Sequence, residues 1–433
     1  MSHPDPARQA IESMFGAALV AADPRRAVLN VLRVDRGEIV VDGQPIAGSG
    51  RVVLIALGKA AVTMAQGAVD TLGDRIVAGI AITKDGHAGG AHFKQIEIAE
   101  AAHPIPDERG VQATRQALEL VERAAADDLI LALISGGGSA LFEAPRPPVT
   151  LADMATVTNL LLRAGAAITE LNQVRTPLSL VKGGGLAQAA GNRPLATLIL
   201  SDVLGNDPRI IASGPTVPGG ADAPAAREVL ERFGLWNQAP ESVRIVLRAE
   251  RDEPASAVAP RIAIIADNEQ AVEAASRLAI NQGLRAEVIW HEVVGEARER
   301  GRDWADACLA AGSGVDCLLG GGEMTVTVIG DGVGGRTTEF ALAAAMRLHE
   351  FDDHEWVIAS LATDGQDGPT DVAGAILDAR SIEQMRERGF DPRAYLERND
   401  SLAPIEAVDA VVAPGPTGTN VNDLYLAVRR TAL

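Results

Sequence analysis

The sequence predicts an α/β protein of two lobes: a Rossmann-like domain with a mostly parallel sheet over residues 1–250, and a second α/β domain over residues 251–433, with the active site in the cleft. Three observations carry this. Short apolar runs alternate with amphipathic stretches, the pattern of strands connected by helices. The length of 433 residues exceeds the roughly 150 usual for one domain. Around residues 237–260 the composition shifts, with Pro240, Pro254, Pro260 and the charged segment 248–253 marking a solvated boundary.

Taken in order, residues 6–32 show helical apolar spacing at Ile11, Met14, Phe15, Ala18 and Leu19, then a second short helix after Pro24. Residues 52–57, 76–83, 95–99, 129–135 and 195–201 read as strands. Their runs are continuously apolar, as in a parallel sheet covered on both faces. Residues 150–190 return to helical spacing. After the boundary the alternation restarts: strand 261–266, helix 269–281, strand 286–290, helix 295–311, then strands 317–319, 325–329, 357–362 and 410–413. In such sheets ligands meet the carboxyl ends of the strands.

Composition excludes several classes. Basic residues number 39 against 58 acidic ones, a net charge of −19, so nucleic acid and anionic membrane surfaces are not expected partners. Thirteen aromatic residues are too few for base-stacking platforms. Cys308 and Cys317 have neither metal-site spacing nor a disulfide framework. No apolar run approaches the roughly 18 residues of a membrane span, and Met1-Ser2-His3-Pro4 opens no signal peptide, so a cytoplasmic location is expected.

Only four basic residues are lysines, Lys59, Lys84, Lys94 and Lys182, and three of them sit beside glycine at the end of an apolar run. Where the chain otherwise writes arginine, a retained lysine points to a compact ammonium at a tight loop. Glycine, at 44 of 433 residues, is above the usual 7% or so and is clustered after strands. Ser135, Gly136, Gly137, Gly138 and Ser139 follow one strand and precede a helix, the arrangement of an anion nest. Asn172, Arg175, Ser179 and Lys182 recur at helical spacing and would share one face. Asp202 stands just past a strand, five residues before Asp207, so these acids could hold Mg²⁺ or a hydroxyl proton; helix capping is the alternative for either, and for Asp207, followed by Pro208, it is nearly as strong a reading.

In the second lobe Glu323 follows three glycines. Gly330, Gly332 and Gly335 spell a dinucleotide fingerprint formally, but the preceding strand reads as one of an antiparallel pair, so a hairpin tip presenting an unengaged Arg336 is the better account. Asp364, in the acid-rich loop 363–371, and Asn420, in the loop 415–423, read as polar, ligand-facing residues. His103 stands in a conspicuous loop at 103–107, yet no Gly-x-Ser-x-Gly elbow accompanies it, and it reads as structural.

Gly58-Lys59-Ala60, loop 103–107, loop 135–140, Val174-Arg175, Leu178-Ser179, Lys182-Gly183-Gly184, Ser201-Asp202-Val203, loop 213–216, Gly321-Gly322-Glu323, Gly334-Gly335-Arg336, loop 363–371 and loop 417–423 occur in that order. Together they closely resemble the class II glycerate 2-kinases, whose second lobe is called the MOFRL domain, over nearly the whole chain. The resemblance implies ATP-dependent phosphorylation of D-glycerate at the 2-hydroxyl, with Mg²⁺ or another divalent metal. It also implies that Lys59 and Arg336 are essential. Thr176-Pro177, Gly185 and Thr337-Thr338 depart from the usual family residues, which bears on the acceptor more than on the reaction.

Phosphoryl transfer needs positioning and charge neutralisation, so glycine cradles, Lys and Arg clamps and metal-binding carboxylates suit it. On this reading Lys59 neutralises phosphate charge and Arg336 meets the transition-state oxygens. Asp202 serves the metal or the hydroxyl, and Arg175 or Lys182 takes the glycerate carboxylate. The partners are glycerate and ATP, and a homodimer is the assembly entertained. The rival readings are a hydroxypyruvate-reducing oxidoreductase and a non-catalytic sugar-phosphate-binding module.

Overall fold

The structure, a computed structural model, describes residues 5–48, 50–219, 222–249 and 259–432. The chain divides into two units, Pro24–Ile265 and Met1–Asp23 with Ala266–Leu433. The expected boundary between residues 250 and 251 lies outside the described residues. The helix Pro6–Ala21 belongs to the unit of the C-terminal residues, not to the first lobe. Its apolar face, with Ile11, Met14 and Ala18 fully buried, packs on the helix Asn268–Asn281. Periodicity identified the buried face; it does not say which core buries it.

The Pro24–Ile265 unit opens with an antiparallel meander, β1 (Leu32–Asp35), β2 (Glu38–Val41) and β3 (Gln44–Ile46). Its short strands carry no strong apolar pattern in the sequence. Arg36-Gly37 and Asp42-Gly43 form its two-residue turns, all four residues with positive φ as tight hairpins require, so the Asp-Gly pair was the available signal. Then come β4 (Val52–Leu57), β5 (Ile76–Lys84), β6 (Ile96–Ala101), β7 (Leu129–Ile134), β8 (Leu195–Leu200) and β9 (Arg261–Ala266). They form one sheet in the order β6-β5-β4-β7-β8-β9, and β4 to β8 run parallel. Every residue of β4, β7 and β8 is buried, as their unbroken apolar runs imply. From β4 the chain winds outward through β5 to β6, then returns to the other side of β4 to lay down β7. The winding therefore reverses between β4 and β7, and an open α/β sheet has its natural crevice outside the carboxyl ends of those two strands. The helices Leu151–Arg163, Ile168–Arg175, Ala223–Arg232 and Glu241–Arg248 build a separate core around Val157, Leu161, Val174 and Val243.

The other unit holds a mixed sheet of β10 (Ala286–Val293), β11 (Cys317–Gly322), β12 (Trp356–Ala362), β13 (Gly374–Leu377), β14 (Val411–Val412) and β15 (Asp423–Arg429). The order is β10-β11-β15-β12-β13-β14, with β10 and β11 parallel and the remaining pairs antiparallel. Trp304, Phe340 and Tyr425 are buried at its centre, with the rings of Phe340 and Tyr425 4.6 Å apart.

Two expectations fail here. Residues 325–329 form no strand: only an isolated bridge joins Thr325 to Glu296. Side chains take the donors a ladder would need, because Thr327 N donates to the Glu296 carboxylate, and Ile329 N and Gly330 N both donate to Asn399 Oδ1. Without that strand there is no hairpin tip, and Arg336 is instead the first residue of the helix Arg336–Glu350. In the helical segment, Asn172, Arg175, Ser179 and Lys182 do not share a helix face. The helix ends at Arg175, Thr176–Leu178 is a 3₁₀ turn carrying Pro177, and Ser179 is extended. The proline ring stops the α-helix before the spacing can act.

Candidate active site

The loops after β4 and β7 meet at the crevice predicted by the winding. Lys59 N donates to Gly136 O (2.9 Å), and Ser135 N donates to Leu57 O (3.0 Å). Ser135 Oγ accepts from Ala60 N (3.0 Å) and donates to Leu57 O (3.3 Å). Ser135 is therefore a buried brace that ties Lys59 to the glycine loop, not a ligand donor. A Cβ at Gly58 would stand 2.3 Å from Ser135 Oγ, so glycine is needed where the two loops touch.

The glycine loop is closely confined. A Cβ at Gly136 would stand 2.0 Å from Asp202 Oδ2, and one at Gly138 2.6 Å from Leu57 and from Ala212. Gly137 adopts a left-handed φ of 85°, and a Cβ there would lie 3.2 Å from the His103 ring and 3.3 Å from Lys59 Cγ. Within the protein, the N–H groups of Gly136, Gly137, Gly138 and Ser139 have no acceptor among the described residues. They form a cradle of backbone donors without a protein acceptor, the arrangement an anion nest requires. The helix that begins within the cradle, Gly138–Leu141, is a single turn, so the backbone donors rather than a long dipole give the loop its character.

Beneath the cradle lies a buried ionic cluster. Lys182, with a side chain 1% exposed, donates through Nζ to Ser139 O (2.7 Å) and lies 3.3 Å from Glu143 Oε2. Arg175, 18% exposed, lies 3.9 Å from the same oxygen. Burial pulls the Lys182 ammonium below its usual range, and Glu143 opposes that pull. Arg175 and Lys182 are brought together by Glu143, which no local pattern in the sequence marks, rather than by a helix face. Only Arg175 retains access to solvent.

Asp202 and Asp207 part company. Asp207 is engaged by Arg209 through both carboxylate oxygens, at 2.9 Å (Oδ1 to Nε) and 2.7 Å (Oδ2 to Nη2), and Oδ1 also accepts from Arg209 N. This corrects its assignment as a metal ligand. Asp202 lies against the cradle at Gly136. Among the described residues no three His, Cys, Asp or Glu side chains gather as a metal cage. One carboxylate beside a cradle of backbone donors is nonetheless a donor set that would suit Mg²⁺, which is commonly held by one or two carboxylates together with substrate phosphates.

The second unit has a cluster of its own. Arg336 donates through Nε to Asp423 Oδ2 (2.6 Å) and through Nη2 to Asp423 Oδ1 (2.9 Å), while Nη1 lies 3.1 Å from Glu323 Oε1. The side chain of Asp423 is 0% exposed, Arg336 27% and Glu323 44%. Burial pushes the Asp423 carboxyl up to about 6 against the pull of Arg336. Arg336 is thus held locally, which corrects the expectation of an unengaged side chain. Behind it, Asp367 caps the helix by accepting from Thr337 N (2.9 Å), Thr338 N (2.9 Å) and Thr338 Oγ1 (2.6 Å), a negative charge at a helix N-terminus. Part of the acid-rich loop is therefore structural. Asp364 Oδ1 accepts from Gln366 N, and Asn420 Oδ1 accepts from Asn422 N. Their loops are stitched together where Thr363 Oγ1 donates to Asn422 O (2.7 Å) and accepts from Val421 N (2.8 Å).

Comparison with known proteins places this architecture. Residues 10–248 match the domain of unknown function DUF4147, and residues 316–423 match the MOFRL family. The chain is 39% identical to the glycerate 2-kinase of Pyrococcus horikoshii, over 96% of each chain. It is 41% identical to an Agrobacterium vitis protein provisionally named hydroxypyruvate reductase, over 96% of this chain and 93% of that one. Among solved structures, the glycerate kinase of Thermotoga maritima superposes with a TM-score of 0.89 at 36% identity, covering 98% of this chain and 100% of that one. The chain belongs to the class II glycerate kinase family, with a DUF4147 domain followed by a MOFRL domain.

Proposed function

We propose that this chain transfers the γ-phosphoryl group of ATP to the 2-hydroxyl of D-glycerate, giving 2-phospho-D-glycerate and ADP. Glycerate phosphorylation is the activity that goes with the family; the 2-position is the finer assignment, and a relative that bears the name glycerate 2-kinase supports it. One observation carries the reading: a cradle of unpaired N–H groups, from Gly136 to Ser139, stitched to Lys59 where the sheet's winding reverses. Donors aimed in advance at developing phosphoryl charge suit a reaction whose catalysis is mostly positioning and neutralisation.

In this assignment the cradle and the Lys59 ammonium bind phosphoryl oxygens. Arg175, the accessible member of its cluster, takes the glycerate carboxylate. Lys182 holds the Ser139 carbonyl inward and so keeps the loop's N–H groups facing out. Arg336, whose three nitrogens face Asp423 and Glu323, meets phosphoryl oxygens by exchanging its contact with the more exposed Glu323. Asp202 is the residue that would hold a divalent metal, whose chemistry is to neutralise charge on the phosphate oxygens of ATP.

The test is a coupled assay with D-glycerate and ATP. Product that enolase consumes without added phosphoglycerate mutase is expected. A signal that needs the mutase means 3-phosphorylation and removes the regiochemistry. NADH oxidation with hydroxypyruvate, and no ADP formed from glycerate, overturns the reaction.

A further inference from the structure

Gly136 and Gly137 are adjacent, yet their missing side chains would point at different neighbours: Asp202 Oδ2 for Gly136, and His103 Cδ2 and Nε2 for Gly137, with Lys59 Cγ beside the latter. The cradle is thus flanked by two groups able to accept a proton. Asp202 already has partners within the protein. Half-buried His103 has no hydrogen-bond partner for either ring nitrogen among the described residues. Buried polar groups are mostly tied by protein or water; this half-buried ring keeps both nitrogens free of protein partners among the described residues, beside the glycine cradle.

We propose that His103 is a catalytic residue of the reaction assigned above, taking the proton of the acceptor 2-hydroxyl through Nε2 as that oxygen attacks. The step balances. The hydroxyl oxygen bonds to the γ-phosphorus, the bond from that phosphorus to the bridging oxygen breaks, ADP leaves with the electron pair, and the proton passes to the imidazole.

The surroundings suit this role. Burial, then the charges of Lys59 and Lys84 and the neighbouring His87, bring the His103 imidazolium down to about 4, so the ring is neutral and able to accept at any working pH. A base this weak suffices when phosphoryl transfer is loose, because the hydroxyl proton becomes strongly acidic only once the new oxygen–phosphorus bond has largely formed. The same cations then favour loss of the proton to solvent, which resets the site. His87 Nδ1 lies 3.2 Å from Lys59 O and so has a partner, which distinguishes it from His103.

The inference rests on the proposed kinase reaction, and its test keeps the two apart. His103→Gln and His103→Ala are compared with the wild-type chain in glycerate phosphorylation, after thermal melts establish that each is folded. The expected result is a fall in kcat of about a hundredfold or more in both, with KM for glycerate and ATP within about threefold of wild type. Added imidazole should restore turnover in His103→Ala and not in His103→Gln, where the cavity is filled. Variants that retain kcat within about threefold, or that lose it with a large rise in KM and no response to imidazole, overturn the assignment. A wild-type chain that leaves glycerate untouched overturns the reaction and this inference with it.

Discussion

In Arg336→Lys a planar fork is replaced by a single ammonium. The fork donates to both oxygens of Asp423, at 2.6 and 2.9 Å, and its third nitrogen lies 3.1 Å from Glu323. An ammonium can face one oxygen of Asp423, so the fully buried carboxylate keeps a counter-charge and loses one charge-assisted hydrogen bond. That costs about 1.5–3 kcal/mol. At roughly 2–4 °C per kcal/mol for a unit of this size, the melting temperature of the MOFRL unit should fall by about 3–12 °C. Arg336→Met strands Asp423 without a counter-charge and should cost more, about 3–5 kcal/mol.

Because Arg336 is tied to Asp423, a bulk loss of activity at one temperature cannot distinguish catalysis from unfolding. The measurement is therefore kcat per folded molecule, well below the variant's melting temperature, with KM for both substrates. If the guanidinium meets phosphoryl oxygens in the transition state, kcat in Arg336→Lys falls about a hundredfold or more while KM holds within about threefold. A variant that melts lower yet keeps its kcat per folded molecule within about twofold would refute the reasoning. Arg336 would then be a tie between Asp423 and Glu323, and nothing more.

The sequence made legible what depends on local pattern. Strands β4, β7 and β8 are apolar throughout because both faces are covered, and the cluster from Ser135 to Ser139 is glycine-rich because Asp202, His103 and Leu57 crowd it. What it hid were partners distant in the chain. Nothing near Arg336 announces Asp423, 87 residues away, and nothing near Lys182 announces Glu143. The expected hairpin at 325–336 failed because Asn399, 70 residues from Ile329, takes the N–H groups a strand would use. A single histidine carries no pattern, so the sequence reads His103 as structural; its place beside Gly137, with both ring nitrogens unpartnered among the described residues, is what marks it.

Two predictions remain. Lys59→Arg and Lys59→Ala should each lower kcat by about a hundredfold, since the guanidinium is bulkier than the ammonium whose stem runs beside Gly137; near-normal turnover in Lys59→Arg would show that charge alone suffices. The other concerns pH. The Asp423 carboxyl is raised from 3.8 to about 6 by burial, so the folded protein holds that proton over a range in which the unfolded chain has released it. Stability from this group is therefore greatest below about pH 4 and is lost as pH rises through about 6. Asp423→Asn carries no such proton, and the other acids, such as Asp316 held near 2 by Arg285, cancel in the comparison. Whatever the variant loses through Arg336, its melting temperature minus that of wild type should become more favourable between pH 4.5 and 7. A difference that stays flat, or moves the other way, would mean that Arg336 fully offsets the burial of Asp423.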